Sequence, residues 1–108
     1  MYVPFFSEDF KKHLEKLTKR DNILENRITN QIEDMKTDPF RNSIELTHEL
    51  KGKRRVKVGD YRLVYAVCEE CRKKGYENFN GCYDCESKPV NSIIFFDVFH
   101  RSKGYDLL

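Results

Sequence analysis

Two groups of residues in this sequence have the types and spacing to do chemistry, and the first is a set of cysteines. They form two Cys-x-x-Cys pairs separated by ten residues: Cys68, Cys71, Cys82 and Cys85. Each pair can hold one side of a tetrahedral ion, so the spacing predicts a four-thiolate site for Zn²⁺, although iron takes the same ligands. Disulfide or redox pairs, and a site without metal, are the alternatives that the spacing leaves open. Because four thiolates fill the coordination sphere, we expect a structural metal and not a catalytic one.

The second group is a run of basic residues in the middle of the chain. Residues 51–67 contain six Lys or Arg and one acidic residue, a net charge of +5, whereas the whole chain of 108 residues has a net charge of +2. The bases are Lys51, Lys53, Arg54, Arg55, Lys57 and Arg62. An edge strand protected by charge against aggregation would have the same composition. The functional interpretation is a phosphate-binding surface, on which arginines make bidentate contacts and lysines act as point charges.

The hydrophobic pattern places the basic residues on a hairpin. Residues 54–58 alternate between charged and apolar side chains, Gly59-Asp60 marks a turn, and residues 61–67 are rich in β-branched and aromatic types. Antiparallel strands display alternate side chains on one surface, so the hairpin would present its bases together. After the cysteines, residues 92–99 are apolar almost throughout, which is typical of a strand buried on both faces. Asp97 interrupts that run and should need a hydrogen-bonding partner.

The N-terminal half predicts an outer strand and two amphipathic helices. Residues 2–6 form a short apolar run that contains a proline, which suits a strand paired on one side only. Ser7 is the expected N-cap of the first helix and Asn22 that of the second, which Asp38-Pro39 should end. Residues 40–50 predict a connecting loop or a short helix.

The element order is therefore β-α-α-β-β-β, and the fold class is α+β. We expect two N-terminal amphipathic helices packed on a small, mostly antiparallel sheet, in one domain over residues 1–108. Residues 68–91 would form a zinc-ribbon-like, metal-binding insertion between the last two core strands. No stretch approaches the roughly 18 apolar residues of a membrane span, and the N-terminus lacks the pattern of a signal peptide. We therefore expect a cytoplasmic protein with no membrane partner.

Two segments of the chain resemble the RelE/ParE toxin superfamily. They are VKVGDYRLVY at residues 56–65 and HRSKGY at residues 100–105, in the expected order after two amphipathic helices. The resemblance covers nearly the whole chain except the residues around the cysteines, where members normally have a short turn. The cysteine insertion is therefore a departure from the family, and it bears on access to the family's active surface.

The resemblance implies a toxin of a type II toxin–antitoxin pair, with a cognate antitoxin as its partner. RelE-like members are ribosome-dependent endoribonucleases that cut mRNA, whereas ParE-like members share the fold and poison DNA gyrase. A zinc-stabilised nucleic-acid-binding adaptor is a third hypothesis. The family's nuclease surface corresponds here to Lys51, Lys53, Arg55, Lys57, Arg62, Arg101 and Tyr105. The C-terminal Arg and Tyr favour the nuclease branch, for which the ribosome and mRNA would be further partners.

Cleavage of RNA through its own 2′-hydroxyl needs a proton acceptor, a proton donor and positive charge beside the phosphorane. Arg62 and Arg101 would stabilise the charge, Lys57 or Lys53 would act as the base, and Tyr105 would stack on a base or relay a proton. Histidine titrates near neutrality, so His100 is either an acid–base residue or a structural one. The predicted catalytic residues are Arg62, Arg101, Tyr105, Lys57 and His100, the predicted RNA-binding residues are Lys51, Lys53, Arg54 and Arg55, and catalysis needs no cofactor.

Overall fold

A computed structural model describes residues 1–80 and 85–103 of the chain. Its elements are β1 (Val3–Phe6), α1 (Glu8–Thr18), α2 (Asn22–Met35), β2 (Ser43–Glu45), β3 (Arg54–Val58), β4 (Tyr61–Val67), α3 (Cys68–Lys74), α4 (Glu77–Asn80) and β5 (Ser92–His100). Short 3-10 helices cover His48–Leu50 and Cys85–Ser87. The α+β class and the order of the core elements are confirmed, and β2, α3 and α4 are additions to the predicted set.

The five strands form one mixed sheet in the order β1-β5-β4-β3-β2. β1 runs parallel to β5, and every other neighbouring pair is antiparallel. Pro4 lies on β1, which is paired on one side only, so its missing N–H is tolerated. β5 lies between β1 and β4, which explains its nearly continuous apolar sequence.

Both N-terminal helices begin at a side-chain cap. The Ser7 hydroxyl accepts a hydrogen bond from the backbone N–H of Phe10 at 3.1 Å, as predicted for α1. The prediction for α2 was wrong by one residue, because Asp21 and not Asn22 is the cap and accepts from the N–H of Leu24 at 3.0 Å. Asp and Asn cap helices about equally well, so adjacent candidates cannot be separated by residue type.

α1 and α2 cover one face of the sheet and enclose the main core with it. The helices contribute Phe10, Leu24, Ile28, Ile32 and Met35, and the strands contribute Val56, Val58, Leu63, Tyr65, Val67, Ile93, Phe95 and Val98. Side chains alternate along a strand, so the residues between these positions on β3 and β4 point to the other face. Burial of one face thus determines which charged residues of β3 and β4 lie opposite the helices.

β2 is a three-residue outer strand where the sequence predicts a loop or short helix. It pairs antiparallel with β3, and Ile44 at its centre is 49% exposed. Such a short and exposed strand has neither the apolar alternation nor the length from which strands are predicted. Glu45 on β2 forms an ion pair of 2.8 Å with Lys74 at the end of α3.

The insertion between β4 and β5 is helical where the structure describes it. α3, α4 and a 3-10 turn take the place of the strands of a zinc ribbon, so that arrangement is not found in residues 68–80 and 85–91. α3 has acidic residues in its first turn and basic residues in its last, which suits a helix dipole, and Gly75 ends it at φ +72°. Cys82 and Tyr105 lie outside the described residues. Among the helices of the described part, none has the length and hydropathy of a membrane span.

Candidate nucleic-acid interface

Three basic side chains lie together on the face of the sheet opposite α1 and α2. Lys57 on β3 is directly opposite Arg62 on β4, and Arg55 is opposite Val64 on the same side. We call the surface formed by Arg55, Lys57 and Arg62 the basic face. Like charges directly opposite each other destabilise an antiparallel pair, so this arrangement costs folding free energy. Packing alone therefore does not explain why these like charges lie side by side.

In the part of the chain that the structure describes, Arg55 has an unsatisfied buried donor on the basic face. Its side chain is half-buried, and its buried Nε has no hydrogen-bond partner within the described residues. A buried donor without a partner costs about 1–3 kcal/mol, and more when the group is charged. In the described part of the chain, no carboxylate forms an ion pair with Arg55, Lys57 or Arg62. A bound phosphate would supply the missing acceptor.

The turn between β3 and β4 brings Arg62 and Arg101 to the same end of the sheet. Arg62 Nη1 donates to the carbonyl oxygens of Gly59 at 3.1 Å and Tyr61 at 3.0 Å. Arg101 follows β5, and its backbone N–H donates to the carbonyl oxygen of Asp60 at 2.8 Å. The Nε of Arg101 lies 3.6 Å from the Asp60 carboxylate, and its side chain is largely exposed. Arg101 is therefore placed beside the basic face.

Arg54, one of the predicted RNA-binding residues, does not belong to the basic face. It is opposite Tyr65, whose side chain is in the core on the helix side. Its Nη1 lies 2.8 Å from the Glu70 carboxylate, its Nε donates to the Ser43 hydroxyl at 3.0 Å, and its side chain is only 13% exposed. Strand alternation separates it from Arg55, and its contacts are structural.

His100 also lies on the other side of the sheet from Lys57 and Arg62. It is opposite Tyr61, and the two rings meet edge to face with centroids 5.2 Å apart. Its Nδ1 is 2.8 Å from the Ser102 hydroxyl. The residue opposite Arg62 is Phe99, so the structure does not bring His100 together with the basic face.

Lys51 and Lys53 connect the basic face with the insertion. The Lys53 amine donates to the carbonyl oxygen of Phe79 at 3.3 Å and lies 5.0 Å from the ring centroid of Phe96. The Lys51 amine lies 5.7 Å from the ring centroids of both Tyr76 and Phe79. The predicted RNA-binding lysines are thus next to aromatic side chains.

The three described cysteines line one cavity of about 10 Å³ beneath the insertion, with Ala66 and Ile94 of the sheet among its other walls. Asn80 Nδ2 donates to Cys71 Sγ at 3.1 Å, and Arg72 Nε donates to Cys85 Sγ at 3.4 Å. N–H donors directed at sulfur are typical of the hydrogen bonds that thiolate ligands accept. Within the described residues, no three His, Cys, Asp or Glu side chains form a group able to hold a metal ion.

Asp97 has a partner that sequence reasoning did not identify. Its buried carboxylate is hydrogen-bonded to Nδ1 of His13 on α1, and it accepts the backbone N–H of Val98 at 2.8 Å. The expectation that Asp97 needs a partner is confirmed. His13 stands 84 positions earlier in the chain, beside the apolar stripe of α1, and no local pattern links the two.

The family comparison covers almost the whole chain. The sequence profile described as "ParE toxin of type II toxin-antitoxin system, parDE" matches residues 5–105. The chain therefore belongs to this family of type II toxin–antitoxin toxins. No curated protein sequence gives a significant match.

Solved structures of toxins share the fold over almost their whole length. The RelBE2 toxin–antitoxin complex from Mycobacterium tuberculosis is 24% identical with a TM-score of 0.64, covering 93% of this chain and 98% of that chain. The YoeB/ParE toxin from Agrobacterium tumefaciens is 14% identical with a TM-score of 0.66, over 92% and 98%. A metal-bound toxin from Helicobacter pylori is 18% identical with a TM-score of 0.66, over 97% and 100%. At these identities, the likeness establishes the fold.

Proposed function

We propose that this toxin is a ribosome-dependent endoribonuclease that cleaves mRNA on the basic face. The observation that carries the proposal is the group of Arg55, Lys57 and Arg62, three neighbouring cations that have no carboxylate partner in the described part of the chain. A phosphate gains negative charge as its phosphorane forms, and positioned cations stabilise that charge. The family match supports the proposal by placing the chain among toxins.

The cleavage would use the 2′-hydroxyl of the RNA as nucleophile. Its oxygen attacks the adjacent phosphorus while the bond to the 5′-oxygen breaks, which leaves a 2′,3′-cyclic phosphate and a 5′-hydroxyl. Arg55 and Arg62 would bind the non-bridging oxygens, and Arg101, which follows β5 and lies beside the β3–β4 turn, would add charge. An arginine keeps its proton, so the proton acceptor that we propose on this face is the deprotonated amine of Lys57, which takes the 2′-hydroxyl proton and so becomes positively charged as the phosphorane forms. Tyr105 remains the predicted proton donor or stacking residue.

The decisive experiment is cleavage of a defined message on purified ribosomes. We expect cuts in codon register with ribosomes and none without them. Arg62→Ala and Lys57→Ala should each lower the cleavage rate by about 10²- to 10³-fold, the usual loss when one charge-stabilising donor is removed. Lys12→Ala, at an exposed position of α1, is the matched control and should cleave at the wild-type rate. Growth arrest by a chain that leaves message intact on ribosomes would overturn the proposal.

A second candidate function is inhibition of DNA gyrase without nuclease activity. The matching family profile is described as a ParE toxin, and this is the observation that favours it. In that case the basic face would be a docking surface. Arg101→Ala would then weaken toxicity far less than the loss of a catalytic residue would. A supercoiling assay with purified gyrase separates the two, because the nuclease hypothesis expects no inhibition.

We also propose a cognate antitoxin that covers the basic face. The M. tuberculosis RelBE2 structure and the YoeB-YefM structure from Staphylococcus aureus are toxin–antitoxin complexes, and both resemble this chain in fold. An extended or helical antitoxin segment with acidic residues would neutralise Arg55, Lys57 and Arg62. The toxin would meet the ribosome, the mRNA and the antitoxin in the cytoplasm.

The cysteines, we propose, hold one structural zinc ion. The shared cavity of Cys68, Cys71 and Cys85 supports this, as do the N–H donors to two of their sulfur atoms, and Cys82 would be the fourth ligand. We expect one zinc per purified chain, and we expect Cys71→Ser to lose the metal and to lower Tm. A reduced wild-type chain that holds no metal and has the same Tm with and without chelator would contradict the site.

A further inference from the structure

We propose that Tyr76 and Phe79 form a base-stacking site for single-stranded RNA, next to the basic face and supplied by the insertion. We call these two rings, together with the Lys51 amine above them, the aromatic patch. The inference rests on the proposed function for the identity of the RNA, but its test does not depend on cleavage.

The aromatic patch exposes a large apolar ring among cations. The Tyr76 and Phe79 rings pack edge to face with centroids 5.8 Å apart, and Phe79 is 53% exposed. The Lys51 amine lies 5.7 Å from both ring centroids. Single-stranded nucleic acid binds where bases stack on exposed aromatic rings and nearby cations contact the phosphates. The patch has both components.

Gly52 fixes the aromatic patch against the sheet. It is buried at φ +94°, and its carbonyl oxygen accepts a hydrogen bond from Asn80 Nδ2 at 3.1 Å. A Cβ atom at this position would lie 3.3 Å from the Cβ atoms of both Tyr76 and Phe79. The patch therefore packs on the residue between Lys51 and Lys53, and its place relative to β3 is set by direct contact.

A line of cations joins the aromatic patch to the basic face. Lys53 donates to the carbonyl oxygen of Phe79, and Arg55 and Lys57 follow it at alternate positions of β3. A strand of RNA whose phosphates follow these residues would bring a flanking base over Phe79. The positive charge beside the rings favours a polyanion with bases over an apolar peptide segment. The patch would thus bind a nucleotide adjacent to the one that is cut.

The test uses the absence of tryptophan from the sequence. Phe79→Trp installs one fluorophore in the aromatic patch, and a short single-stranded 2′-O-methyl RNA, which cannot be cleaved, is the probe. We expect strong quenching at saturation, because a stacked base quenches indole fluorescence. Ile23→Trp, at a position 76% exposed on α2, is the matched control and should not be quenched. Inorganic polyphosphate, which has charge but no bases, should leave both variants unquenched.

The affinity of the same RNA gives a second measurement. Phe79→Ala should weaken binding about tenfold, whereas Phe79→Tyr and Ile23→Ala should bind as the wild type does. Unchanged fluorescence of the Phe79→Trp chain with RNA bound would overturn the stacking site, and so would equal quenching by polyphosphate. An unaltered RNA affinity of Phe79→Ala would also overturn the stacking site. Quenching without cleavage on ribosomes would overturn the proposed function and leave the stacking site in place.

Discussion

Charged side chains are paired and nearly buried on one face of the sheet, and lack carboxylate partners among the described residues on the other. On the helix side Arg54 is paired with Glu70 and is nearly buried. On the basic face Lys57 and Arg62 are directly opposite each other, and Arg55 has a buried Nε without a partner in the described part of the chain. Two neighbouring arginines of one strand therefore have different environments. The first stabilises the fold, and the second has a hydrogen-bond donor that our proposal assigns to an RNA phosphate.

The largest expected effect comes from substituting these two arginines separately. Arg54→Ala leaves Glu70 without its closest cation, so the free energy of unfolding should fall by about 3 kcal/mol. Arg55→Ala removes an unsatisfied cation, so its stability should change by less than about 1 kcal/mol while its RNA affinity falls. Urea denaturation and fluorescence anisotropy with 2′-O-methyl RNA measure the two quantities. If both variants lost the same stability, the two arginines would not differ as we propose.

A second prediction concerns the hydrogen bond between His13 of α1 and the buried carboxylate of Asp97. Asp97→Ala removes the partner of His13 and leaves the backbone N–H of Val98 without its acceptor, so stability should fall by about 2 kcal/mol. Asp34→Ala, at an exposed position of α2, is the matched control and should be close to wild type. RNA affinity should be unchanged in both variants. A selective loss of RNA affinity in Asp97→Ala would link this pair to the binding site.

A third prediction sharpens the assignment of the basic face to phosphate. Binding of single-stranded RNA should weaken with added salt, and each lost phosphate contact should reduce the log–log slope by about 0.7. Lys57→Ala should reduce the slope by one contact, and Lys12→Ala should leave it as in the wild type. A slope that Lys57→Ala does not change would place the phosphates elsewhere.

The smallest expected effect is the pH dependence of one exposed ion pair. A hydrogen bond from Lys74 lowers the pKa of Glu45 below its usual value. Because the folded-state pKa is the lower one, the pair contributes stability at neutral pH and loses it as the pH falls through the pKa of folded Glu45. Glu45→Gln should therefore be slightly less stable than wild type near pH 7 and equal to it in acid. Urea midpoints at a series of pH values check this.

Local signals were sufficient for most of the framework. The Ser7 cap and the hairpin of β3 and β4 depend on residues a few positions apart, and sequence patterns report such relations well. The cysteine spacing predicted a ribbon, but the acidic start and basic end of residues 68–74 are those of a helix. Spacing of metal ligands says little about the secondary structure that presents them.

The missed features depend on contacts between distant parts of the chain. Arg54 was grouped with its basic neighbours because its partner, Glu70, lies sixteen positions later on a helix that the sequence did not predict. His13 and Asp97 are also too far apart in the chain for a sequence pattern to link them.

The position of β5 has a consequence for how the protein is made. Among the described residues it is the last strand, yet it lies inside the sheet, where β1 pairs with it on one side and β4 on the other. During synthesis, the earlier strands cannot complete this sheet until β5 has emerged, because β1 pairs with β5 alone among the described strands and β4 lacks one of its two neighbours. Arg62 is held on β4, so a partly synthesised toxin lacks the rigid surface on which we propose that it acts.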